Sequence, residues 1–228
     1  MSVLNRLLSQ CKHPNGSFGR LLARGMNSSH FPLTTWALGH IEVAVDSTAL
    51  DIGCGGGRTV DRLAKIAVDG WVVGLDYSED AVVVARRKNA HHIHNGRVEI
   101  CHASVSSIPY DDNTFDLVTA IETLYFWEAP EADLKEVQRV MKPGGQLLIA
   151  CTMYKGGTFD ERNRRFVDEF DMHYLSVEDL QNLLEASQYE DVRVIVEYDK
   201  GWICAAARKV QSPAAAQSPS TTRGSPQH

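Results

Sequence analysis

The stretch Asp51-Ile52-Gly53-Cys54-Gly55-Gly56-Gly57-Arg58 is the part of this chain best suited to hold a ligand. Glycines at 53, 55 and 57 can take positive φ angles and leave no Cβ to obstruct a bound group. Amides at the start of a following helix would point outward as donors for an anion. Asp76 closes the apolar run 71–75, at the distance from a glycine turn where a carboxylate accepts both hydroxyls of a ribose. That device serves nucleoside binding in general, and a helix N-cap is its structural alternative. Glu122 follows another apolar run, 115–120. There it can orient a donor, balance a positive charge or deprotonate an attacking heteroatom, with a purely structural carboxylate as the other reading. Tyr125, Phe126 and Trp127 offer aromatic faces to a cation, although core packing accounts equally for Phe126 and Trp127.

Positioning these residues requires a repeated strand–helix pattern. Residues 49–52 read as a buried strand, and Val60, Leu63, Ala64 and Ala67 as one face of a helix reaching about Val68. A second strand over 71–75 leads into a helix from Ser78 to about Asn89, which ends in His91-His92-Ile93-His94. His91 and His94 share a face, but no further ligand group has suitable spacing, and imidazoles suit a helix C-terminus anyway. No metal site is therefore expected. Strands follow over 97–101 and 115–120, a helix over 129–140, a turn over 141–145 and a fifth strand over 146–151. In open α/β sheets ligands lie beyond the carboxyl ends of the strands, which places the glycine turn, Asp76 and Glu122 on one side.

The pattern D-x-G-x-G-x-G resembles the first motif of the class I S-adenosylmethionine-dependent methyltransferases. A dinucleotide fingerprint has a third glycine where this chain has Arg58. Ile108-Pro109 followed by Phe115-Asp116 is similar to the ubiquinone/menaquinone-biosynthesis branch of that family, with its methyltransferase type 11-like domain. Lys142-Pro143-Gly144-Gly145 matches a recurrent family turn, with Met141 in place of the usual leucine. The resemblance covers roughly residues 45–207. It implies S-adenosyl-L-methionine as cofactor, S-adenosyl-L-homocysteine as product, and a cofactor set of Asp51, Gly53, Cys54, Gly55, Gly57, Asp76, Tyr77, Ser104, Val105 and Ile121. Ser104 stands where the family usually has an aspartate over the adenine amino group, and Val105 supplies the neighbouring amide. The D/N-P-P-Y motif of many enzymes acting on exocyclic or amide nitrogen is absent, because Ile121 occupies its acidic position. The implied fold is a Rossmann-like, doubly wound, mostly parallel α/β sheet of seven strands. It ends in an antiparallel hairpin, here over 192–197 and 202–207, with the turn at residues 198–201.

Glu122, Tyr125 and His173 are the candidate catalytic residues, and Met26, His30 and Tyr154 the candidate substrate contacts. Met26, His30 and Trp36 belong to two short amphipathic segments between Phe18 and Ile41, broken near Asn27 and Pro32, which either cap the pocket or pack on the sheet. Tyr154 and His173 bracket the connection 153–175, longer than an ordinary strand–helix link and therefore a candidate lid. Arg164 and Arg165 within it either hold an acidic substrate or form a solvated face. Ser176 and Asp179 predict a capping box for the helix ending near Ser187.

Composition sets milder bounds. The 228 residues carry 29 acidic against 23 basic side chains and a net charge of −6, which disfavours nucleic acid and anionic membrane as partners. No apolar run approaches the ~20 residues of a spanning helix. Five scattered cysteines without C-x-x-C spacing suit reduced thiols in a cytoplasmic protein. The expected organisation is a helical lead-in over 1–44, a cofactor-binding domain over 45–208 and a disordered tail over 209–228 rich in Ser, Pro, Ala and Gln. The acceptor is expected to be a small molecule, with a protein acceptor or a non-catalytic binder as alternatives. Nothing in the sequence indicates an oligomeric state.

Overall fold

The structure, a computed structural model, describes residues 31–170 and 172–211. In chain order it runs through α1 (Phe31–Leu38), β1 (Thr48–Ile52), α2 (Arg58–Ile66), β2 (Trp71–Asp76), α3 (Glu79–Lys88), α4 (Ala90–His94) and β3 (Val98–His102). There follow β4 (Phe115–Ile121), a 3-10 turn (Leu124–Phe126), α5 (Pro130–Val140), β5 (Met141–Cys151), α6 (Asp160–Phe170), α7 (Val177–Ala186), β6 (Tyr189–Glu197) and β7 (Trp202–Lys209).

The strands form one seven-stranded sheet in the order β3-β2-β1-β4-β5-β7-β6. The strands from β1 to β5 pair in parallel, and β7 inserts antiparallel between β5 and β6. The chain winds outward from β1 through β2 to β3, then returns to lay β4 on the other side of β1. That reversal opens a crevice at the carboxyl ends of β1 and β4, where a ligand site is expected. Successive residues of the central strands feed two separate cores. Leu50, Val73, Val118 and Leu147 pack with Leu134 and Val137 of α5 and Leu180 and Leu184 of α7. Ala49, Val72, Leu117 and Leu148 pack with Leu33 of α1, Val60 and Leu63 of α2 and Val82 of α3. Burial on both faces explains why these strands read as continuous apolar runs rather than alternating ones.

Several local expectations need correction. Pro32, expected as a break, lies in the first described turn of α1, where a missing N–H is harmless. The helix expected to run into the histidines ends at Lys88. Asn89 stops it by donating through Nδ2 to Ala85 O and Gly57 O, both at 2.9 Å, and α4 is a separate turn. The turn expected over residues 141–145 is an irregularity within β5. The register steps from Phe115↔Met141 to Leu117↔Gln146, so the extra residues bulge outward, with Gly144 at φ +75°. Lys209, expected in the tail, ends β7 and donates to Met141 O at 2.8 Å. The hairpin and the Ser176/Asp179 capping box form as the sequence indicates. Asp116 accepts from the Thr48 amide at 2.9 Å and so orders the strand entry. Among the described residues no helix is long and apolar enough to cross a membrane. Residues 1–30 and 212–228, including Met26, His30 and most of the expected tail, lie outside the described residues.

Candidate active site

The glycine turn is held by its own amides. Cys54 N donates to Leu75 O at 2.9 Å, Gly57 N to Cys54 O at 2.8 Å, and Gly55 N to Asp76 Oδ2 at 2.8 Å. Gly55 has φ +53°, and a Cβ added there would meet nothing within 4 Å, so its bare face opens into the crevice. Gly57 plays another part. Its φ is +77°, and an added Cβ would come within 2.5 Å of Asn89 Nδ2 and 3.0 Å of Ala85. It is the point where α2 and α3 pack together. It does not line the cavity, and Gly56 lines it instead.

Two carboxylates flank the turn. Asp51 is buried in the sheet and accepts from Thr119 Oγ1 at 2.6 Å. Its pKa is raised to about 7, chiefly by burial, with the Thr119 bond working against the rise and the charge of Asp76 adding to it. Asp76 is also buried, with Oδ1 accepting from Ser78 N at 2.9 Å. Burial raises its pKa against the lowering effect of the Ser78 and Gly55 amides. Each oxygen of Asp76 keeps a lone pair for a ligand hydroxyl.

Both acids face a cavity of about 410 Å³. Ala103, Ser104, Val105 and Ser106 line one part of it, and Glu122, Thr123, Phe126, Trp127 and Glu128 another. Gly53, Cys54, Leu75, Tyr77 and Ile121 lie on its wall as well. Every residue of the expected cofactor set is therefore on the cavity except Gly57. Phe31 and Thr34 of α1 and Arg58 and Arg62 of α2 also line it, and none of them is among the expected site residues. Both guanidinium groups lie over the Phe31 ring, at 4.2 and 5.2 Å from its centroid, and Arg62 also donates to the Thr35 hydroxyl. The i,i+4 spacing of the arginines on a helix that starts at the turn was the available signal.

Glu122 is on the cavity wall and the candidates Tyr125, His173 and Tyr154 are not. Glu122 has φ +62°, a conformation that costs an L residue about 1–2 kcal/mol. Its amide donates to Ala150 O at 2.8 Å, which ties the end of β4 to β5. Its carboxylate accepts from the Thr152 amide, from Thr152 Oγ1 at 2.9 Å and from the Tyr125 hydroxyl at 3.3 Å. Tyr125 is buried behind it, and its hydroxyl also accepts from Met153 N at 3.0 Å. Burial and the neighbouring Cys151 and Glu122 raise the Tyr125 pKa well above its ordinary value, so it is no proton acceptor near neutrality. His173 reaches this group through its backbone, its amide donating to Tyr125 O at 2.9 Å. Tyr154 is packed in the core under Gly157, where an added Cβ would come within 2.6 Å of its ring. Tyr125 and His173 form a brace behind Glu122, and Tyr154 belongs to the core. Trp36 packs on Trp202 and His40 and likewise does not line the cavity.

Arg164 pairs with Asp160 on an exposed face of α6, at 2.8 Å. His92 is buried between Asp61, 3.3 Å from Nε2, and Arg97, 3.0 Å from Nδ1. Among the described residues no group of His, Cys, Asp and Glu is placed to hold a metal ion.

The donor set fits a cationic nucleoside lacking phosphate. Carboxylates of Asp51, Asp76 and Glu122 face the cavity, the bare Gly55 face allows close approach, and Val105 and Ile121 supply apolar wall. S-adenosylmethionine has that chemistry, with a sulfonium, an amino group and a ribose diol.

A family model described as a methyltransferase domain matches residues 50–149. The chain is 32% identical over 146 residues to the O-methyltransferase cnsE of Penicillium expansum, covering 64% of this chain and 52% of the relative. It is 37% identical over 113 residues to a demethylmenaquinone methyltransferase of Bacillus mycoides, covering 49% of this chain and 47% of that protein. The chain thus spans about half the length of the curated relatives it matches. In fold it is similar to a SAM-dependent methyltransferase from Aquifex aeolicus. The TM-score is 0.68 at 24% identity, over 84% of this chain and 98% of that one. Sheet order, glycine turn and Asp76 agree with the matched domain, and residues 50–149 carry a methyltransferase domain.

Proposed function

We propose that this chain moves a methyl group from S-adenosylmethionine to a heteroatom or carbon of a small-molecule acceptor. The observation that carries the reading is the single cavity shared by the glycine turn, Asp76 and Glu122, walled beyond Glu122 by Phe126 and Trp127. When bound, the sulfonium supplies a methyl already activated by its charge, so the chain must add alignment and exclusion of water. Asp76 accepts the ribose hydroxyls, and Ser104 and Val105 border the adenine. Gly53, Cys54 and Gly55 cradle the amino-acid end, with Asp51 facing its amino group. Tyr77 and Ile121 close the nucleoside wall. Glu122 orients the acceptor, and Phe126 and Trp127 keep water out. Tyr125 and His173 brace Glu122 from behind, Tyr154 packs in the core, and none of the three takes part in proton transfer.

The named activities of the curated relatives, on menaquinone precursors and on an oxygen acceptor, support a small molecule over a polymer. The net charge of −6 argues in the same direction against nucleic acid. Reduced cysteines at 54, 101, 151 and 204 suit a cytoplasmic setting. Calorimetry with S-adenosylhomocysteine and with NAD tests the cofactor, and release of S-adenosylhomocysteine over a panel of phenols, quinols and amines tests the acceptor. Heat with NAD and none with S-adenosylhomocysteine would overturn the reading. Turnover on protein but on no small molecule would overturn the acceptor class.

A further inference from the structure

Asp133, in the first turn of α5, is buried, yet its carboxylate bonds to the cavity wall. Its Oδ2 accepts from the Ala129 amide at 3.3 Å, and its Oδ1 from the Ser106 hydroxyl at 2.7 Å. The first contact caps the helix, which has no need of the second. Ser106 lines the cavity beside Ser104 and Val105. The direction of each bond follows from what each group can donate. A carboxylate accepts, so the single Ser106 hydroxyl proton is spent on Asp133. The Ser106 amide donates to Ser104 Oγ at 3.2 Å. Ser104 Oγ also lies 3.4 Å from Ser106 Oγ, and of the two hydroxyls only Ser104 has a proton left to place on that line. With its proton directed at Ser106 and one lone pair on the Ser106 amide, Ser104 turns its other lone pair to the cavity.

We propose that Asp133, acting through Ser106, fixes the Ser104 hydroxyl as a hydrogen-bond acceptor and so makes the site select a purine that carries a 6-amino group. The proposal rests on the methyltransferase reading of the cavity, in which Ser104 borders the adenine. A free serine offers a proton or a lone pair alike and would not discriminate. Asp133 is a positioning residue and touches no ligand itself. Asp133→Asn reverses the chain of bonds. The Ala129 amide requires an acceptor, so the asparagine oxygen takes the place of Oδ2 and its NH2 faces Ser106. Ser106 then accepts there and donates to Ser104, and Ser104 turns its proton to the cavity, against the protons of the 6-amino group.

The test compares S-adenosylhomocysteine with its analogue bearing hydrogen in place of the 6-amino group, which keeps the sugar, the amino-acid end and the ring nitrogens. The parent should bind S-adenosylhomocysteine more tightly in calorimetry. Asp133→Asn should weaken S-adenosylhomocysteine roughly 3- to 10-fold and leave the analogue unchanged. Ser106→Ala, which interrupts the chain of bonds without reversing it, should give a smaller loss, again for S-adenosylhomocysteine alone, and decides the matter should Asp133→Asn fail to fold. A merely structural role for Asp133 would weaken both compounds equally. Equal losses for both compounds, or no loss of S-adenosylhomocysteine in either variant, would overturn the proposal. Equal affinity of the parent for the two compounds would overturn it too, with the cofactor reading left standing. If the parent bound neither compound, the cofactor reading itself would fail first.

Discussion

The Gly55 amide donates to Asp76 Oδ2 at 2.8 Å, so the glycine turn and the end of β2 hold one another through a carboxylate that also faces the cavity. Charge-assisted bonds of this kind are worth about 1.5–3 kcal/mol each. Asp76→Ala removes the bond within the turn together with the proposed ribose contact. The affinity for S-adenosylhomocysteine is expected to fall by at least about tenfold to a hundredfold. Calorimetry showing no change would move the nucleoside elsewhere.

Gly55 and Gly57 should respond differently to alanine. At Gly57 the methyl would press on Asn89 and Ala85 and the backbone is left-handed, so Gly57→Ala should destabilise the fold by about 2–4 kcal/mol. At Gly55 the methyl meets nothing in the protein, which leaves the backbone penalty of about 1–2 kcal/mol. It would point into the cavity, so Gly55→Ala should fold and lose cofactor binding. Chemical denaturation and calorimetry on the two variants separate these effects, and equal loss of binding at equal stability would contradict the assignment.

Asp51 makes stability depend on pH with a definite sign. Its folded pKa is raised from 3.8 to about 7, so between those values the folded protein holds a proton that the unfolded chain has released. The stability it contributes is complete below about pH 4 and is lost as pH rises towards about 7. Asp76, raised in the same direction, adds to this slope. Asp51→Asn should flatten the dependence of the melting temperature on pH across that window. A cationic amino group favours the ionised acid, so cofactor affinity of the parent should rise with pH over the same range. An unchanged slope in Asp51→Asn would remove Asp51 as its source.

Tyr125→Phe takes away the hydroxyl between Glu122 and the Met153 amide. Loss of about 1–3 kcal/mol of stability is expected from the amide left without its acceptor. Methyl transfer should continue, with the pH–rate profile keeping its shape, because the hydroxyl is buried and resists ionisation. Disappearance of one limb of that profile in Tyr125→Phe would restore a catalytic role.

Much of the site was legible in the residues because the features concerned are local. A glycine cluster after an apolar run dictates a tight turn, an acid at the end of the next run has one place to go, and Ser176 with Asp179 caps a helix wherever that helix packs. Apolar runs buried on both faces specify a parallel sheet covered by helices, and the crevice follows from where the strand order reverses. These inferences need only neighbours within one turn or one strand–helix unit.

Tertiary structure decided which side chains look into the cavity. After β4 the direction of each side chain depends on the left-handed backbone at Glu122, which holds Glu122 and Thr123 on the wall and sends Tyr125 into the core. No periodicity encodes that switch. Gly57 belongs to the contact between α2 and α3, and Tyr154 to the packing beneath Gly157, because each is set by a neighbour brought up by the fold. Phe31 meets Arg58 and Arg62 across separate helices for the same reason. Residue types and short spacings determined the turn and the acid that ends β2 beside it. Distant packing alone separated the residues that line the site from those that only support it.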